Sequence, residues 1–447
     1  MNADLIIIGA GPGGYETAIA AAQEGVQTVL IESTHLGGTC LNEGCIPTKC
    51  FCRNAEVIDT IRESALYGVH TDEVRFDYAA VLRRKEEVVA QLSSGVASLL
   101  KSPLITQVEG TAHFVNEHEV AVGDQVYHAP HIIIATGSEA KFLPIPGTDN
   151  ERVVTAREML SRSSVPARLC VIGGGVIGLE FASIFTSFGS QVTVVEYAKE
   201  VLPAFDRDIA KRLRTSLKRR GITFHVGAAV QEIKSTDGGC EVCFDMAGKS
   251  GCVEADVVLM AVGRKPCLQN LNLENAGVEF TSRGITVNED MQTNVKGIYA
   301  IGDVNGLCPL AHAATAQGRV ALSHLLGKGP RPDLQLIPAA VFTVPEVATV
   351  GLTEETAKAN GIEYVVHKSF YRANGKSLAM GSSDGLVKIL VDNDKHIIGA
   401  HLLGAHAADL IHELALAMHA QLSLDDLQTM VHAHPSLSEL VHAATFE

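Results

Sequence analysis

Two cysteines near the start of the chain have the spacing of a reactive pair. Four residues separate Cys40 from Cys45, and Gly44 is one of them. A helical turn broken at Gly44 brings the two sulfurs within bonding range and leaves a short loop that is readily reduced. Lys49 follows one helical turn after Cys45, and its charge, like a helix N-terminus, favours thiolates. The spacing predicts a pair that accepts and returns electrons.

Other cysteines leave metal binding open as an alternative. Cys50 and Cys52 follow the pair, but intervals of four, four and one residues differ from those of zinc sites and common iron–sulfur runs. We therefore predict no metal and interpret Cys50 and Cys52 as buried helix residues. Cys240 and Cys243 are predicted to point to opposite faces of a strand, and Cys252 has no partner at a recognised spacing. Any disulfide is predicted to be catalytic or redox-sensing.

A histidine and a glutamate near the C-terminus are a second candidate for chemistry. Pro435 stiffens the backbone beside His434, and Glu439 follows closely enough to orient the imidazole and stabilise its protonated form. His432 and His434 also form a His-x-His pair that could bind a metal or cap a helix. Because a dithiol elsewhere in the chain needs a base, we predict an acid–base role for His434, with Glu439 as its partner.

An internal repeat supplies the elements that position these residues. A shift of 164 residues, without a gap, places Leu5–Gly14 on Leu169–Gly178 and Val29–Glu32 on Thr193–Glu196. Each copy has the pattern of a buried strand, a Gly-x-Gly-x-x-Gly turn, an Ala-rich helix and a second strand that ends in Glu. This order is typical of a dinucleotide site. Two such sites in one chain favour a flavin and a nicotinamide as cofactors.

The glycines and the acid of each copy have separate roles. The first Gly permits the tight turn, the second lets a pyrophosphate approach, and the third lets the helix pack on the strand. The acid lies where it can bond ribose hydroxyls and repel a 2′-phosphate, so Glu196 favours NAD over NADP. The predicted glycines are Gly9, Gly11 and Gly14 in the first copy and Gly173, Gly175 and Gly178 in the second.

The segment Gly37–Lys49 resembles the active-site signature of the class I pyridine nucleotide–disulfide oxidoreductases, and is closest to their dihydrolipoamide dehydrogenase branch. The resemblance implies an α/β fold with two Rossmann-like, three-layer dinucleotide-binding domains and a C-terminal α+β dimerisation domain. The resemblance continues at Ala135–Gly137, Ala261–Arg264, Tyr299–Asp303, Leu310–His312, Thr343–Ala348 and His432–Glu439.

The same resemblance implies an activity. Dihydrolipoamide carried on a protein is oxidised to lipoamide, and its electrons pass through a Cys40–Cys45 disulfide and FAD to NAD+. Cys40 is expected to meet the substrate and Cys45 to lie beside the flavin. His434 is expected to act as acid–base on the dithiol of the other subunit of an obligate homodimer. The expected carrier is an acyltransferase or a glycine-cleavage protein.

Cofactor contacts also follow from the resemblance. Lys49 is expected beside the flavin ring, paired with Glu180. The expected FAD contacts are Glu32, Lys49, Ala112, Thr136, Gly137, Asp303 and Ala311. The expected contacts on the NAD side are Glu180, Glu196, Val230 and Gly263.

Length and charge set the wider limits. A chain of 447 residues is expected to hold about three domains. We predict an FAD domain over 1–135, an NAD domain over 136–262, an FAD and central segment over 263–334, and a dimerisation domain over 335–447. A net charge of −15 disfavours nucleic acid as a partner. We also predict no membrane span, no secretory signal and a cytoplasmic location.

Two alternatives remain. One is another disulfide reductase of the family, acting on glutathione, a related thiol or mercuric ion. Glutathione reductases generally carry arginines where this chain has Glu196 and Tyr197, and mercuric reductases end in a Cys pair that is absent here. The other alternative is a non-catalytic FAD-binding subunit or redox sensor. The presence of all the residues needed for catalysis argues against it, namely Cys40, Cys45, Lys49, His434 and Glu439.

Overall fold

The structure, a computed structural model, describes residues 1–329 and 331–446. The described chain divides into two compact units. The first contains Met1–Cys50, Ala79–Lys141 and Gly263–Leu334. The second contains Phe51–Tyr78, Phe142–Val262 and the chain from Gln335 onward.

The chain contains both β-strands and α-helices, with runs of consecutive strands between the helices. The strands are β1 (Leu5–Ile8), β2 (Thr28–Glu32), β3 (Ile105–Glu109), β4 (Ala112–Asn116), β5 (Glu119–Val122), β6 (Gln125–His128), β7 (His131–Ile134), β8 (Ser138–Ala140), β9 (Val153–Val154), β10 (Arg168–Ile172), β11 (Gln191–Glu196), β12 (Thr223–Val226), β13 (Ala228–Thr236), β14 (Gly239–Met246), β15 (Lys249–Ala255), β16 (Val257–Met260), β17 (Arg264–Pro266), β18 (Phe280–Thr281), β19 (Gly284–Ile285), β20 (Ile298–Ala300), β21 (Ala339–Val341), β22 (Glu346–Gly351), β23 (Val365–Phe370), β24 (Leu386–Val391) and β25 (Ile397–Gly404). The α-helices are α1 (Pro12–Gln23), α2 (Gly38–Asn42), α3 (Cys45–Arg62), α4 (Tyr78–Leu99), α5 (Ala156–Ser161), α6 (Val176–Phe188), α7 (Arg207–Arg219), α8 (Ala311–Leu326), α9 (Glu354–Ala359), α10 (Gly375–Ala379), α11 (Ala407–His419), α12 (Leu424–Thr429) and α13 (Glu439–Ala444).

A parallel sheet in the order β20-β7-β1-β2-β3 forms the centre of the first unit. All four residues of β1 are buried, as expected for a central strand covered on both faces. Leu5 and Ile7 pack with residues of α1 and α8. Ile6 and Ile8 point the other way and pack with residues of the antiparallel β4-β5-β6 sheet. The unit therefore has three layers.

The second unit repeats this arrangement. Its parallel sheet has the order β12-β11-β10-β16-β9, and β10 pairs with β11 and β16 as β1 pairs with β2 and β7. Cys170 and Ile172 of β10 pack with Val242 and Phe244 of the antiparallel β13-β14-β15 sheet. The sequence repeat is thus a repeat of the sheet and of the layer that covers it.

The C-terminal part of the second unit is an antiparallel sheet in the order β21-β22-β25-β24-β23. Residues of α11, α12 and α13 share its hydrophobic core. The fully buried Lys388 ammonium forms ion pairs of 2.6 Å with Asp206, which precedes α7, and with Glu354. Burial raises the pKa of Glu354, but bonds from Lys388 and Tyr364 outweigh it and hold the pKa at about 2. The ion pairs therefore join this sheet to the repeat.

The predicted fold class is confirmed: two Rossmann-like parts and a C-terminal α+β part are present. Within the described residues, every helix is too short or too polar to cross a membrane.

Candidate active site

The first Gly-rich turn has no room for side chains at its outer glycines and open space at its centre. Gly9 has a φ of 104°, and a Cβ there would lie 2.4 Å from the carbonyl oxygen of Ala135. A Cβ at Gly14 would lie 1.8 Å from the carbonyl oxygen of Gly9. At Gly11 the nearest atom to such a Cβ is the Cα of Gly38, at 4.0 Å. Because Gly11 directly precedes α1, the open space and the helix N-terminus fit an anionic pyrophosphate.

Glu32 lies at the end of β2, beside this turn. Its Oε2 accepts a hydrogen bond of 2.6 Å from the backbone N–H of Ala10. Its Oε1 accepts bonds from the backbone N–H and the hydroxyl of Thr34, at 2.9 and 3.0 Å. These bonds fix the carboxylate at the edge of the turn, where the sequence predicts a ribose contact.

The second turn has the same design. Gly173 has a φ of 109°, and a Cβ there would lie 2.3 Å from the carbonyl oxygen of Ala261. A Cβ at Gly178 would lie 2.0 Å from the carbonyl oxygen of Gly173, whereas one at Gly175 would have no neighbour within 4 Å. The open position again directly precedes a helix, α6. The second turn therefore fits a dinucleotide for the same reasons as the first.

The repeat extends to the hydrogen bonds of the acids. The carboxylate of Glu196 accepts bonds of 2.5 Å from the backbone N–H groups of Gly174 and Ala198. The corresponding donors in the first copy are Ala10 and Thr34, and the shift is again 164 residues. Both acids are therefore held by the turn beside which a cofactor ribose is expected.

The structure brings Cys40 and Cys45 together. Cys40 is half-buried in α2, and Cys45 is exposed and begins α3. A hydrogen bond with Cys45 is the largest influence that raises the pKa of Cys40; burial also raises it, and the charge of Lys49 lowers it. The 18-residue helix that begins at Cys45 favours a thiolate there through its dipole. The pair suits reversible closure to a disulfide.

Backbone contacts hold this pair against the first Gly-rich turn. Gly37 donates its N–H to the carbonyl of Ala10 at 2.8 Å. A Cβ at Gly38 would lie 2.7 Å from the Cα of Gly11, so only glycine allows this approach. The side-chain amide of Asn42 donates to the carbonyl of Gly38 at 2.9 Å and stabilises the short α2. Cys40 and Cys45 are therefore placed beside the turn that fits a pyrophosphate.

One predicted FAD contact, Asp303, lies in a polar cluster that adjoins two others, Thr136 and Gly137, along the chain. Thr136 and Gly137 directly precede Ser138, whose hydroxyl donates to Oδ2 of Asp303 at 2.5 Å. The guanidinium of Arg264 donates to the same hydroxyl at 2.7 Å. Ser138 was not predicted from the sequence, where its only signal is its position after Gly137.

The two alanines predicted to contact FAD occupy different environments. Ala112 begins β4, and its side chain is buried in the core that contains Ile31. Its side chain faces away from solvent, so any cofactor contact is limited to its backbone. Ala311 is the first residue of α8, where helix N–H groups remain available to an anion.

The remaining contacts predicted for the NAD side lie on separate elements of the chain. Glu180 is buried in α6, and its Oε1 accepts a 2.9 Å bond from the backbone N–H of Phe342. Val230 lies at an irregularity in β13. Gly263 has a φ of 106° and no neighbour within 4 Å of an added Cβ. The predicted pairing of Glu180 with Lys49 stays a prediction.

The C-terminal histidines have separate partners. His434 is 80% exposed, and its Nδ1 lies 2.9 Å from Oε1 of Glu439. The backbone N–H of Ser436 donates to the other carboxylate oxygen and, with His434, lowers the pKa of Glu439. The side chain of His432 is only 4% exposed, and its Nε2 lies 2.7 Å from Oε1 of Glu413. Because the two rings contact different acids, the geometry favours an accessible base at His434 over a shared metal.

The cysteines of β14 and β15 correct one prediction. Cys243 and Cys252 form a disulfide, although Cys252 was predicted to have no partner. The two residues are directly opposite in the antiparallel register, which sequence spacing does not reveal. Cys240 does face the core, away from Cys243, as predicted. Cys50 and Cys52 are buried helix residues, also as predicted.

Comparison with protein families decides the class. Residues 3–318 match the pyridine nucleotide-disulphide oxidoreductase model, and residues 337–445 match the dimerisation domain of the same group. The chain belongs to this family. Membership implies FAD and NAD as cofactors and a homodimer as the assembly, and the Gly-rich turns of the structure fit both dinucleotides.

Individual members of the family match along nearly the whole chain. The mitochondrial dihydrolipoyl dehydrogenase of Pisum sativum is 40% identical, over 99% of this chain and 90% of that protein. The dihydrolipoyl dehydrogenase of Bacillus subtilis is 38% identical, over 98% of this chain and 97% of that protein. The HOCl-induced flavoprotein disulfide reductase RclA of Escherichia coli is 31% identical, with a TM-score of 0.88 and 99% coverage of both chains.

Proposed function

We propose that this chain is an NAD-dependent dihydrolipoyl dehydrogenase that oxidises protein-bound dihydrolipoamide to lipoamide. The observation that carries the proposal is the Cys40–Cys45 pair held against the first Gly-rich turn by Gly37 and Gly38. Similarity to the dihydrolipoyl dehydrogenases of pea and Bacillus subtilis supports the choice of substrate.

The substrate half-reaction uses the two sulfurs and a base. His434 Nδ1 lies within hydrogen-bonding distance of Glu439, which leaves Nε2 to remove a proton from a substrate thiol. The substrate thiolate attacks Cys40, breaks the Cys40–Cys45 disulfide and forms a mixed disulfide, while Cys45 leaves as a thiolate. The second substrate thiol then displaces Cys40, releasing cyclic lipoamide and the enzyme dithiol. His434 is proposed to act on the dithiol of the other subunit.

The oxidative half-reaction depends on the cofactors. FAD held at the first Gly-rich turn would supply a two-electron acceptor for the dithiol, and NAD+ held at the second turn would be the final hydride acceptor. Lys49 lowers the pKa of Cys40 and so favours the thiolate form of the dithiol. Glu196 would repel a 2′-phosphate, which makes NAD the expected acceptor.

The roles of the individual site residues belong to the proposal. The proposed FAD contacts are Gly9, Gly11, Gly14, Glu32, Lys49, Ala112, Thr136, Gly137, Asp303 and Ala311. The proposed residues on the NAD side are Gly173, Gly175, Gly178, Glu180, Glu196, Val230 and Gly263. We also propose FAD-binding segments over 1–135 and 263–334, an NAD domain over 136–262 and a dimerisation domain over 335–447.

The proposal includes a partner and a location. The substrate is expected on the lipoyl group of an acyltransferase or of a glycine-cleavage carrier, in the cytoplasm. The His434 side chain is 80% exposed in the single chain, which leaves its imidazole able to face the dithiol of the other subunit.

A paired steady-state assay tests the proposal. The holoenzyme is given dihydrolipoamide with NAD+, and in parallel glutathione disulfide with NADPH. We expect turnover in the first assay and a preference for the first pair of at least about 100-fold in kcat/KM. A preference for the NADPH pair would instead identify a glutathione-type reductase. Turnover in neither assay would support the non-catalytic alternative.

An anaerobic absorption spectrum distinguishes reduction of the Cys40–Cys45 disulfide from binding of dihydrolipoamide alone. Addition of dihydrolipoamide without NAD+ should produce a long-wavelength absorption band, because a thiolate then lies beside the oxidised flavin. The band should be absent from Cys45→Ser. A wild-type holoenzyme without this band would contradict the proposed roles of Cys40 and Cys45.

A further inference from the structure

A second cysteine pair lies on the outer face of the β13-β14-β15 sheet, outside the machinery proposed above. Cys243 of β14 and Cys252 of β15 are directly opposite each other, with Cα atoms 4.1 Å apart. Side chains alternate along β14, so Val242 and Phe244 enter the core while Cys243 faces the other way. Cys252 is exposed to solvent. A reductant can therefore reach this disulfide from the surface.

An acidic side chain completes a set of three possible ligands. Glu241 precedes Cys243 by two residues on β14 and shares its face. Its Oε2 lies 3.6 Å from the Cys243 sulfur. The donor atoms of Glu241, Cys243 and Cys252 all lie within 4.8 Å of one another, and theirs is the one such group among residues 1–329 and 331–446.

The surroundings of this group contain two further acids, each paired with a base. Glu232 is opposite Cys243 on β13, and Glu254 is opposite Glu241 on β15, so both share its face. Glu232 is bound to Lys234 at 2.9 Å, and Glu254 is bound to Arg168. Lys234 is directly opposite Glu241 on β13, and Glu241 is the carboxylate that lies within 4.8 Å of both sulfurs in the group. Two thiolates beside it would repel each other and the acid unless a cation joined them.

We propose that Glu241, Cys243 and Cys252 form a redox-gated site for a thiophilic divalent cation such as Zn²⁺. Two thiolates and one carboxylate, with water in the fourth position, are suitable ligands for a tetrahedral ion of this class. The disulfide form cannot bind the ion because both sulfurs are bonded to each other. Reduction opens the site, and oxidation releases the ion.

Ordinary thiol reagents supply the electrons and protons for reduction and reoxidation of the Cys243–Cys252 disulfide. A small dithiol reduces the Cys243–Cys252 bond, becomes a cyclic disulfide itself, and leaves two protein thiols. On binding the cation, each thiol releases its proton to solvent. A small-molecule disulfide reverses the change: it takes two electrons and two protons from the cysteines and becomes two thiols.

Protection from alkylation tests the site in the wild-type holoenzyme. The protein is reduced with a dithiol, freed of reagent without oxygen, and alkylated with N-ethylmaleimide in the presence or absence of Zn²⁺. Peptide mapping then quantifies the label at each cysteine. We expect Zn²⁺ to slow labelling of Cys252 at least about tenfold and to slow that of Cys243 in parallel. Unchanged labelling of Cys252 would overturn the proposal.

Affinity measurements assign the ligands. On a Cys40→Ser, Cys45→Ser background, which removes the other accessible pair, we expect one Zn²⁺ per reduced chain by competition with a chromophoric chelator. Cys243→Ser should weaken binding at least about 100-fold, and Glu241→Gln about tenfold. Cys240→Ala, on the same strand but facing the core, is the matched control and should bind normally.

Two outcomes of the affinity experiment would contradict the proposal. One is unchanged binding in Cys243→Ser, which would place the ion elsewhere. The other is equal binding by protein that was never reduced, which would exclude gating by the disulfide. Because neither experiment measures lipoamide turnover, the failure of this inference is distinguishable from the failure of the proposed function.

Discussion

The two Gly-rich halves close their turns in the same way but with different residues. In each half the loop after the second strand returns to the turn and donates an N–H to the residue after the first glycine. Gly37 donates to Ala10 at 2.8 Å, and Leu202 donates to Gly174 at 2.9 Å. Each returning loop also contains a residue with positive φ: 56° at Gly38 and 48° at Leu202.

The two halves differ in the residue that each returning loop places at the turn, which is Gly38 in the first half and Leu202 in the second. At Gly38 the backbone lies against Gly11, and the segment with Cys40 and Cys45 is thereby held at the turn. At the equivalent position Leu202 is only 1% exposed, and a Cβ at Gly175 would have no neighbour within 4 Å. The first turn therefore holds the segment with the two cysteines through a close glycine backbone contact, and the second turn has no such contact at its central glycine.

The largest expected effect is the difference in turnover between variants of the two cysteine pairs. Cys45→Ser removes the sulfur that closes the Cys40 disulfide, so dihydrolipoamide turnover should fall at least about 1,000-fold. Cys243→Ser should leave turnover within about twofold of wild type, because that pair lies outside the proposed chemistry. Steady-state assays of both holoenzymes check this. Comparable losses in the two variants would remove the functional distinction between the pairs.

Substitution in the returning loops tests the role of backbone contact. Gly38→Ala places a methyl 2.7 Å from the Cα of Gly11, so FAD affinity should fall about 100-fold or more as the turn is displaced. Leu202→Ala should retain FAD and instead lower the free energy of unfolding by about 2–4 kcal/mol, since it leaves a cavity. Flavin content after dialysis and urea unfolding distinguish the two results. Normal flavin retention in Gly38→Ala would show that the close contact is unimportant.

Substitution of each of the two acids should weaken the binding of one cofactor and leave the other unchanged. Glu196→Gln removes the charge beside the second turn, and the KM for NAD+ should rise about tenfold while flavin content is unchanged. Glu32→Gln should weaken FAD retention by a similar factor without changing the KM for NAD+ of the flavin-saturated enzyme. Kinetics at saturating FAD and flavin titrations measure these effects. If either variant weakened FAD retention and raised the KM for NAD+ by the same factor, the assignment of one dinucleotide to each turn would be wrong.

The smallest expected effect is a shift in pH dependence. The charge of Lys49 lowers the pKa of Cys40, against the larger raising effects of Cys45 and of burial. Lys49→Met should therefore raise that pKa further and move thiolate formation to higher pH. At a fixed neutral pH, alkylation of Cys40 by iodoacetamide should slow by up to about tenfold, while Cys252 of the reduced protein is unaffected. Faster alkylation of Cys40 would contradict the sign of the Lys49 effect.

Local features of the site were predictable from the sequence. Three features depend on residues that are near one another in the sequence. They are the Gly-rich turns, the acid at the end of each second strand and the Cys40–Cys45 pair. Their spacing therefore limits their geometry. The internal repeat, whose copies are offset by 164 residues, likewise predicted two similar dinucleotide-binding parts, because matching patterns of buried and turn residues produce matching sheets.

Features that depend on distant segments were missed. The hydroxyl of Ser138 meets Asp303 across 165 positions, and no spacing rule connects them. Lys388 is a charged residue in the middle of a buried strand, and its partner Asp206 is 182 positions away. Each contact depends on how complete elements pack together.

The sequence alone determined the cofactor turns, the redox pair and the family, because these depend on residue type and short spacing. Only the tertiary structure decided that Cys243 and Cys252 are partners. Nine positions separate them, and the same separation in another hairpin would place them on opposite faces. The register of β14 and β15 decides which residues are opposite, and that register depends on burial of Val242 and Phe244 against the parallel sheet.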